Sequence, residues 1–114
     1  MEYIYKVKVT RVIDGDTVDV EIDLGFDLKL NKRVRLHGIN TPEIRTRDKK
    51  EKARGYAAKE RLQEILQAND NIVYLQSVDK GKYGRCVGVL FEQDFLDESI
   101  NDRLLSEGHA VKYK

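Results

Sequence analysis

The residues Asp14, Gly15 and Asp16 raise the first chemical question of this chain. Asp-Gly between two alternating apolar runs is a strong hairpin signal, and turns carry Asp for purely local hydrogen-bonding reasons. Two carboxylates one residue apart are also a common way of presenting oxygen ligands to a hard cation. The motif by itself leaves both readings open. Further along, Arg35 lies on the outward face of a predicted strand, Asn40, Thr41 and Glu43 fall in the loop after it, and Arg85 opens a later strand. Singly, each has an ordinary explanation: an exposed strand charge, a turn former, a carboxylate after a proline. Taken together they gather carboxylates and guanidiniums at strand ends, groups able to bind a cation, grip an anion and accept a proton.

A fold of short strands must position them. "YIYKVKVTRVI" alternates through Tyr3, Tyr5, Val7 and Val9 and reads as a strand. "TVDVEIDL" puts Val18, Val20, Ile22 and Leu24 on one face, with Asp19, Glu21 and Asp23 on the other. "NKRVRLHGI" makes a third strand, with Val34 and Leu36 inward and Arg33, Arg35 and His37 opposite. Pro42 lacks a ladder donor and biases Thr41 to an extended conformation, so "TPE" ends that strand. From about Lys50 to Ala68 the apolar positions Ala58, Leu62, Ile65 and Leu66 take helical spacing, and "NDN" stops the helix. "IVYLQSV" and "RCVGVLF" are two more strands, separated by the loop "DKGKYG". A last short helix covers "DESINDRLLSEG", with Ile100, Leu104 and Leu105 on one side and Gly108 as its stop. The order βββ-α-ββ-α predicts a mainly β chain, a five-stranded OB-fold β-barrel with two helices packed on it, in a single domain over residues 1–114.

Composition narrows the function classes. The one cysteine, Cys86, excludes an internal disulfide framework and a thiolate zinc cluster, and its setting in "RCVGVLF" reads as a small buried strand residue. His37 and His109 are the only histidines, which leaves little for a triad or a histidine-rich metal site. No apolar run approaches the roughly 20 residues a membrane span requires, and no signal peptide is expected. The net charge of +1 hides an uneven distribution: residues 29–61 carry twelve Lys/Arg against four Asp/Glu. Such a segment attracts phosphates by long-range steering, or is simply a solvated helix face.

"VIDGDTV", "VRLHGINTPE" and "KYGR", in this order and separated by a helix, resemble the staphylococcal nuclease (thermonuclease) family from about Val7 to Gly108. The resemblance implies a calcium-dependent nuclease that hydrolyses phosphodiester bonds of DNA and RNA at P–O5′ and leaves 3′-phosphate ends. By motif position, Asp16 matches the metal-binding aspartate, Thr41 the residue whose carbonyl binds calcium, and Glu43 the glutamate that acts on the attacking water. Arg35 and Arg85 match the arginines that grip the scissile phosphate. Tyr83, beside Lys82, matches a tyrosine near the bound nucleotide, and Tyr113 is a weaker candidate for the same neighbourhood. This chemistry is sound in itself: a hard cation neutralises charge, and two guanidiniums hold phosphate oxygens in a fork that lysine cannot reproduce. A carboxylate can order or deprotonate the water without a histidine.

The sequence departs from the pattern in three places. Asn40 stands where a second carboxylate ligand is usual, so the shell loses a formal charge, and weaker calcium binding or a site that borrows Asp14 is expected. Gly81 replaces an aspartate in "D-x-Y-G-R", which would loosen the loop carrying Arg85. The chain also stops at Lys114, short of a further C-terminal helix. Arg45, Arg47, Lys49 and Lys50 are candidates for flanking phosphate contacts. Single-stranded DNA or RNA is the expected partner, with no membrane and a monomeric state. The expected location is cytoplasmic or viral, or secreted should an export signal have been removed. The rival expectation is a non-catalytic OB-fold module that binds nucleic acid; retention of Arg35, Glu43 and Arg85 argues against it.

Overall fold

Period-two apolar residues build most of the wall. In the computed structural model, which describes residues 4–78, 86–93 and 98–113, β1 runs Ile4–Asp14, β2 Thr17–Asp23 and β3 Lys29–Leu36. The short β4, Ile39–Asn40, precedes helix α1, Lys49–Gln67; β5 (Ile72–Ser77), β6 (Cys86–Phe91), helix α2 (Ile100–Ser106) and a short β7 (Val111–Lys112) complete the order. The strands close into a barrel in the order β1-β2-β3-β6-β5, the five-stranded OB-type barrel the pattern predicted. β3 and β6 pair in parallel while the other barrel neighbours are antiparallel. β1 serves both edges of the seam, pairing β5 through Ile4–Lys8 and β2 from Val7 to Asp14. Register shifts at Val9/Arg11 and Val12/Asp14 supply the extra residues and bend that closure needs.

Val7, Val9, Val18, Val20, Ile22, Val34 and Leu36 point inward, and Leu62, Ile65 and Leu66 of α1 join the same core. Ile100 and Leu104 bring α2 onto it. Each helix starts on a side-chain cap: Asp48 accepts from the amides of Lys50 and Glu51, and Ser99 from that of Asp102. α1 ends where Asp70 and Asn71 take left-handed backbone, a conformation these two residue types tolerate well. No helix among the described residues is long and apolar enough to cross a membrane.

The outer face of the meander carries charge in stripes. Lys8 and Arg11 of β1 face Glu21 and Asp19 of β2, while Arg33 and Lys29 of β3 face Asp19 and Asp23. Arg33 donates Nε to Asp19 at 2.8 Å, which holds the Asp19 carboxyl below the usual carboxylate range and raises Arg33 further. Lys29 lies 3.3 Å from Glu21, diagonally across the same pair of strands.

Several expectations need correction. Leu24, assigned to the inner face of the second strand, is 46% exposed because the strand ends at Asp23 and the chain turns through Gly25, Phe26 and Asp27, all at positive φ. The third strand begins two residues early, at Lys29, and ends at Leu36, so His37 lies in a turn. Cys86, expected to be buried, is only partly so. The β4–β7 pair, too short for any periodicity, was not anticipated.

Candidate active site

The turn between β1 and β2 is pressed onto α1. A Cβ on Gly15 would lie 2.8 Å from Cβ of Ala58 and 2.9 Å from Cγ2 of Thr41, so only glycine lets the turn seat there. Asp16, next in the chain, is thereby 8% exposed, and both oxygens of its carboxylate have partners. Oδ1 accepts from the Thr17 hydroxyl at 3.0 Å, and Oδ2 accepts from the backbone N–H of Thr41 at 3.0 Å. Arg35 reaches Oδ2 through Nη1 at 2.9 Å.

Arg35 comes from the end of β3, directly opposite Thr17 in register. Its Nη1 also approaches the Asp16 carbonyl oxygen at 3.4 Å, its Nη2 donates to Oδ1 of Asn40 at 3.2 Å, and its guanidinium carbon sits 5.5 Å from the centre of the Tyr113 ring. The head group is thus held by a carboxylate, an amide oxygen and an aromatic face. Both terminal nitrogens are engaged, and Nε–H has no partner among the described residues.

The short strands explain why Asn40 and Tyr113 meet at Arg35. Ile39 pairs with Lys112, Asn40 with Val111, and the Tyr113 amide donates to the Gly38 carbonyl at 3.0 Å. Buried Asn101, on α2, ties this corner to the barrel. Its Nδ2 donates to the carbonyls of His37 (2.9 Å) and Gly88 (3.2 Å), and its Oδ1 accepts from the Leu90 amide (3.1 Å). Neither Asn101 nor the hydroxyl of Thr17 was singled out from sequence; an asparagine between apolar positions of a short helix was the one available hint.

Asp16, Arg35, Asn40 and Thr41 therefore converge. Glu43, two residues beyond Thr41, is exposed and makes no hydrogen bond or ion pair among the described residues. Asp14 is partly buried at the turn and pairs in register with Thr17. Arg85, Tyr83, Lys82 and Gly81 lie outside the described residues. Tyr113, expected beside a nucleotide, has its ring against Arg35. On the adjoining segment, Arg45, Arg47, Lys49, Lys50, Lys52 and Arg54 are all exposed and carry no ion pair among the described residues.

Among the described residues no group of three or more His, Cys, Asp or Glu side chains could hold a metal ion. The oxygens that do converge are the Asp16 carboxylate and the Asn40 amide, beside the Thr41 backbone. They suit a hard cation in kind, being oxygen only. In number and charge the set is lean: its one carboxylate is already neutralised by Arg35.

Together, the closed five-stranded barrel, the helix between its third and fourth long strands and the guanidinium-carboxylate cluster at one pole define an OB-type domain with a polar site. Residues 33–114 match the family of staphylococcal nuclease homologues, and the chain belongs to that family. A micrococcal nuclease of Shigella flexneri is 32% identical over 117 residues, covering 96% of this chain and 59% of the relative. An uncharacterized protein of Methanocaldococcus jannaschii is 30% identical over 128 residues, covering 96% and 59%. The protein ParB of Escherichia coli is 30% identical over 113 residues, covering 94% and 56%. The chain thus spans less than two thirds of the length of these curated relatives.

Proposed function

We propose that this chain is a calcium-dependent nuclease domain that hydrolyses phosphodiester bonds of single-stranded DNA or RNA at P–O5′, leaving 3′-phosphate ends. The observation that carries the reading is the locked guanidinium of Arg35, held at Asp16, Asn40 and Tyr113, whose Nε–H has no partner among the described residues. A fork fixed before substrate arrives needs no reorganisation to meet an anion, which is where electrostatic catalysis gains most. The exposed cations from Arg45 to Arg54, without an ion pair among the described residues, supply a path for flanking phosphates.

Asp16, Asn40 and the Thr41 carbonyl are the residues that would hold calcium. When bound, the cation would neutralise phosphate charge and orient a water. Arg35 takes a phosphate oxygen through its guanidinium, and Arg85 is assigned the second grip. Glu43, exposed and without an ion pair among the described residues, accepts the proton of the attacking water. The water oxygen bonds to phosphorus, the P–O5′ bond breaks, and the 5′ oxygen takes a proton from solvent, to which Glu43 later returns the one it accepted. Lys82, Tyr83 and Tyr113 are assigned to the nucleotide's surroundings. A proton acceptor needs a carboxylate at this place, whereas a module that only binds has no use for it.

The test is cleavage of single-stranded DNA in calcium and in chelator, beside Glu43→Ala. Calcium-dependent cleavage to 3′-phosphate ends, lost in the variant, is expected. Tight DNA binding without calcium-dependent cleavage would instead identify a non-catalytic binding module.

A further inference from the structure

Among the described residues no hydrogen bond or ion pair holds the Glu43 side chain, yet a proton acceptor must sit within hydrogen-bonding reach of its water. Among the described residues, what sets its position is the backbone of residues 42–44. That backbone lies on the second turn of α1, at Gly55, which is buried. A Cβ placed on Gly55 would stand 2.8 Å from the carbonyl oxygen of Pro42, 3.0 Å from that of Glu43 and 3.0 Å from Cγ1 of Ile44. Two of these three atoms are backbone oxygens of the segment that bears the glutamate, so no side-chain rotation relieves the overlap. Close approach of a glycine Cα–H to carbonyl oxygens is itself a weak attraction.

One helical turn on, the same face presents Ala58 to Gly15, the residue before Asp16. The positions 55 and 58 thus seat two chain segments that sequence separates by 28 residues: the turn of the buried carboxylate and the loop of the exposed one. Thr41, between them, is anchored separately through its amide to Asp16. Disturbing the contact at Gly55 therefore moves Glu43 relative to a fixed Asp16.

We infer that Gly55 is a positioning residue for Glu43: its missing side chain lets α1 set the distance between the proton acceptor and the Asp16–Arg35 cluster. The inference rests on the role given to Glu43 above. Glycine inside a helix is ordinarily a weakness that alanine repairs. At position 55 the repair would push the catalytic loop outward, and a displacement of about 1 Å can lower a rate on the order of 10²-fold.

The experiment compares wild type, Gly55→Ala, Glu43→Ala and the double variant, with Ala57→Gly as a control that weakens the same helix at an exposed position away from the loop. Gly55→Ala should shift the amide resonances of Glu43 and Ile44 while leaving that of Thr41 in place. It should lower kcat about 100-fold with little change in KM, do nothing further once Glu43 is Ala, and fail to raise the melting temperature. Ala57→Gly should keep the wild-type rate. Should Gly55→Ala not fold, Pro42→Gly loosens the same segment from the other side, and its rate loss must likewise vanish when Glu43 is Ala. Unmoved loop resonances with a raised melting temperature, an equal loss with and without Glu43, or an equal loss in Ala57→Gly would each overturn the inference. A wild-type protein that does not cleave would remove the nuclease reading alone, because the resonance shifts still decide whether Gly55 sets the loop.

Discussion

Asn40→Asp asks most directly whether the cluster holds a cation. As the chain stands, Asp16 and Arg35 cancel, and Asn40 adds only a dipole. A carboxylate at position 40 would give the cluster a net negative charge. Asn40 is exposed, so the solvent-like dielectric is the proper bound. A divalent cation and a new unit charge about 3 Å apart then attract by about 2.8 kcal/mol. Arg35, whose Nη2 already lies 3.2 Å from Oδ1, competes for the same carboxylate. At about 4 Å between charge centres that opposes cation entry by about 1 kcal/mol. The net gain of about 1.8 kcal/mol corresponds to roughly 20-fold tighter calcium binding. Calorimetric titration of wild type and Asn40→Asp at fixed ionic strength measures it, with Asp16→Asn as the variant expected to abolish binding. The gain should shrink as salt rises. Unchanged or weaker binding in Asn40→Asp would refute the reasoning and remove Asn40 from the ligands.

Arg35→Lys keeps the charge but loses the fork to Asp16 and Asn40, so kcat for single-stranded DNA should fall ~10²- to 10³-fold, with folding checked by urea titration. Asn101→Ala strands the Leu90 amide and the His37 carbonyl, while the Gly88 carbonyl keeps the His37 amide, and should destabilise the fold by about 2–4 kcal/mol in equilibrium unfolding. The hydrogen bonds from Arg61, at 2.6 and 3.0 Å, chiefly depress the Glu107 carboxyl to about 2, with Arg103 adding to the effect. Because the folded value is depressed, that stabilisation is complete above about pH 4.5 and fades as the pH falls towards 2. Glu107→Gln should therefore lower stability at neutral pH, by no more than about 1 kcal/mol for so exposed a pair, and flatten its loss between those two values. Acid titrations followed by circular dichroism test this.

The barrel was legible because its strands are half-buried and alternate cleanly: Val18, Val20 and Ile22 on one side, Asp19 and Glu21 on the other. The period failed at Leu24 because a hairpin tip has no inner face. Short pairings cannot be read this way. The β4 and β7 strands have two residues each, yet they bring Asn40 and Tyr113 to Arg35. The site was visible as residue types near strand ends, but the contact of Arg35 with Asp16 depends on barrel closure, a non-local event. The packing of Gly15 and Gly55 against α1 and its loop was hidden for another reason. Glycine in a sequence announces freedom, and only coordinates reveal that the space is already filled.

The striped wall of the meander has an electrical consequence. Rows of cations on β1 and β3 flank a row of anions on β2, so their potentials subtract. A neutralised array of this sort fades with distance far faster than a lone charge does, and within a Debye length of ~8 Å it becomes nearly silent to an approaching polyanion. The unbalanced cations between Arg45 and Arg54 have no such cancelling rows. A negatively charged strand drifting past the molecule would thus be turned towards the pole beside the carboxylate-guanidinium cluster and would find little on the flank to detain it.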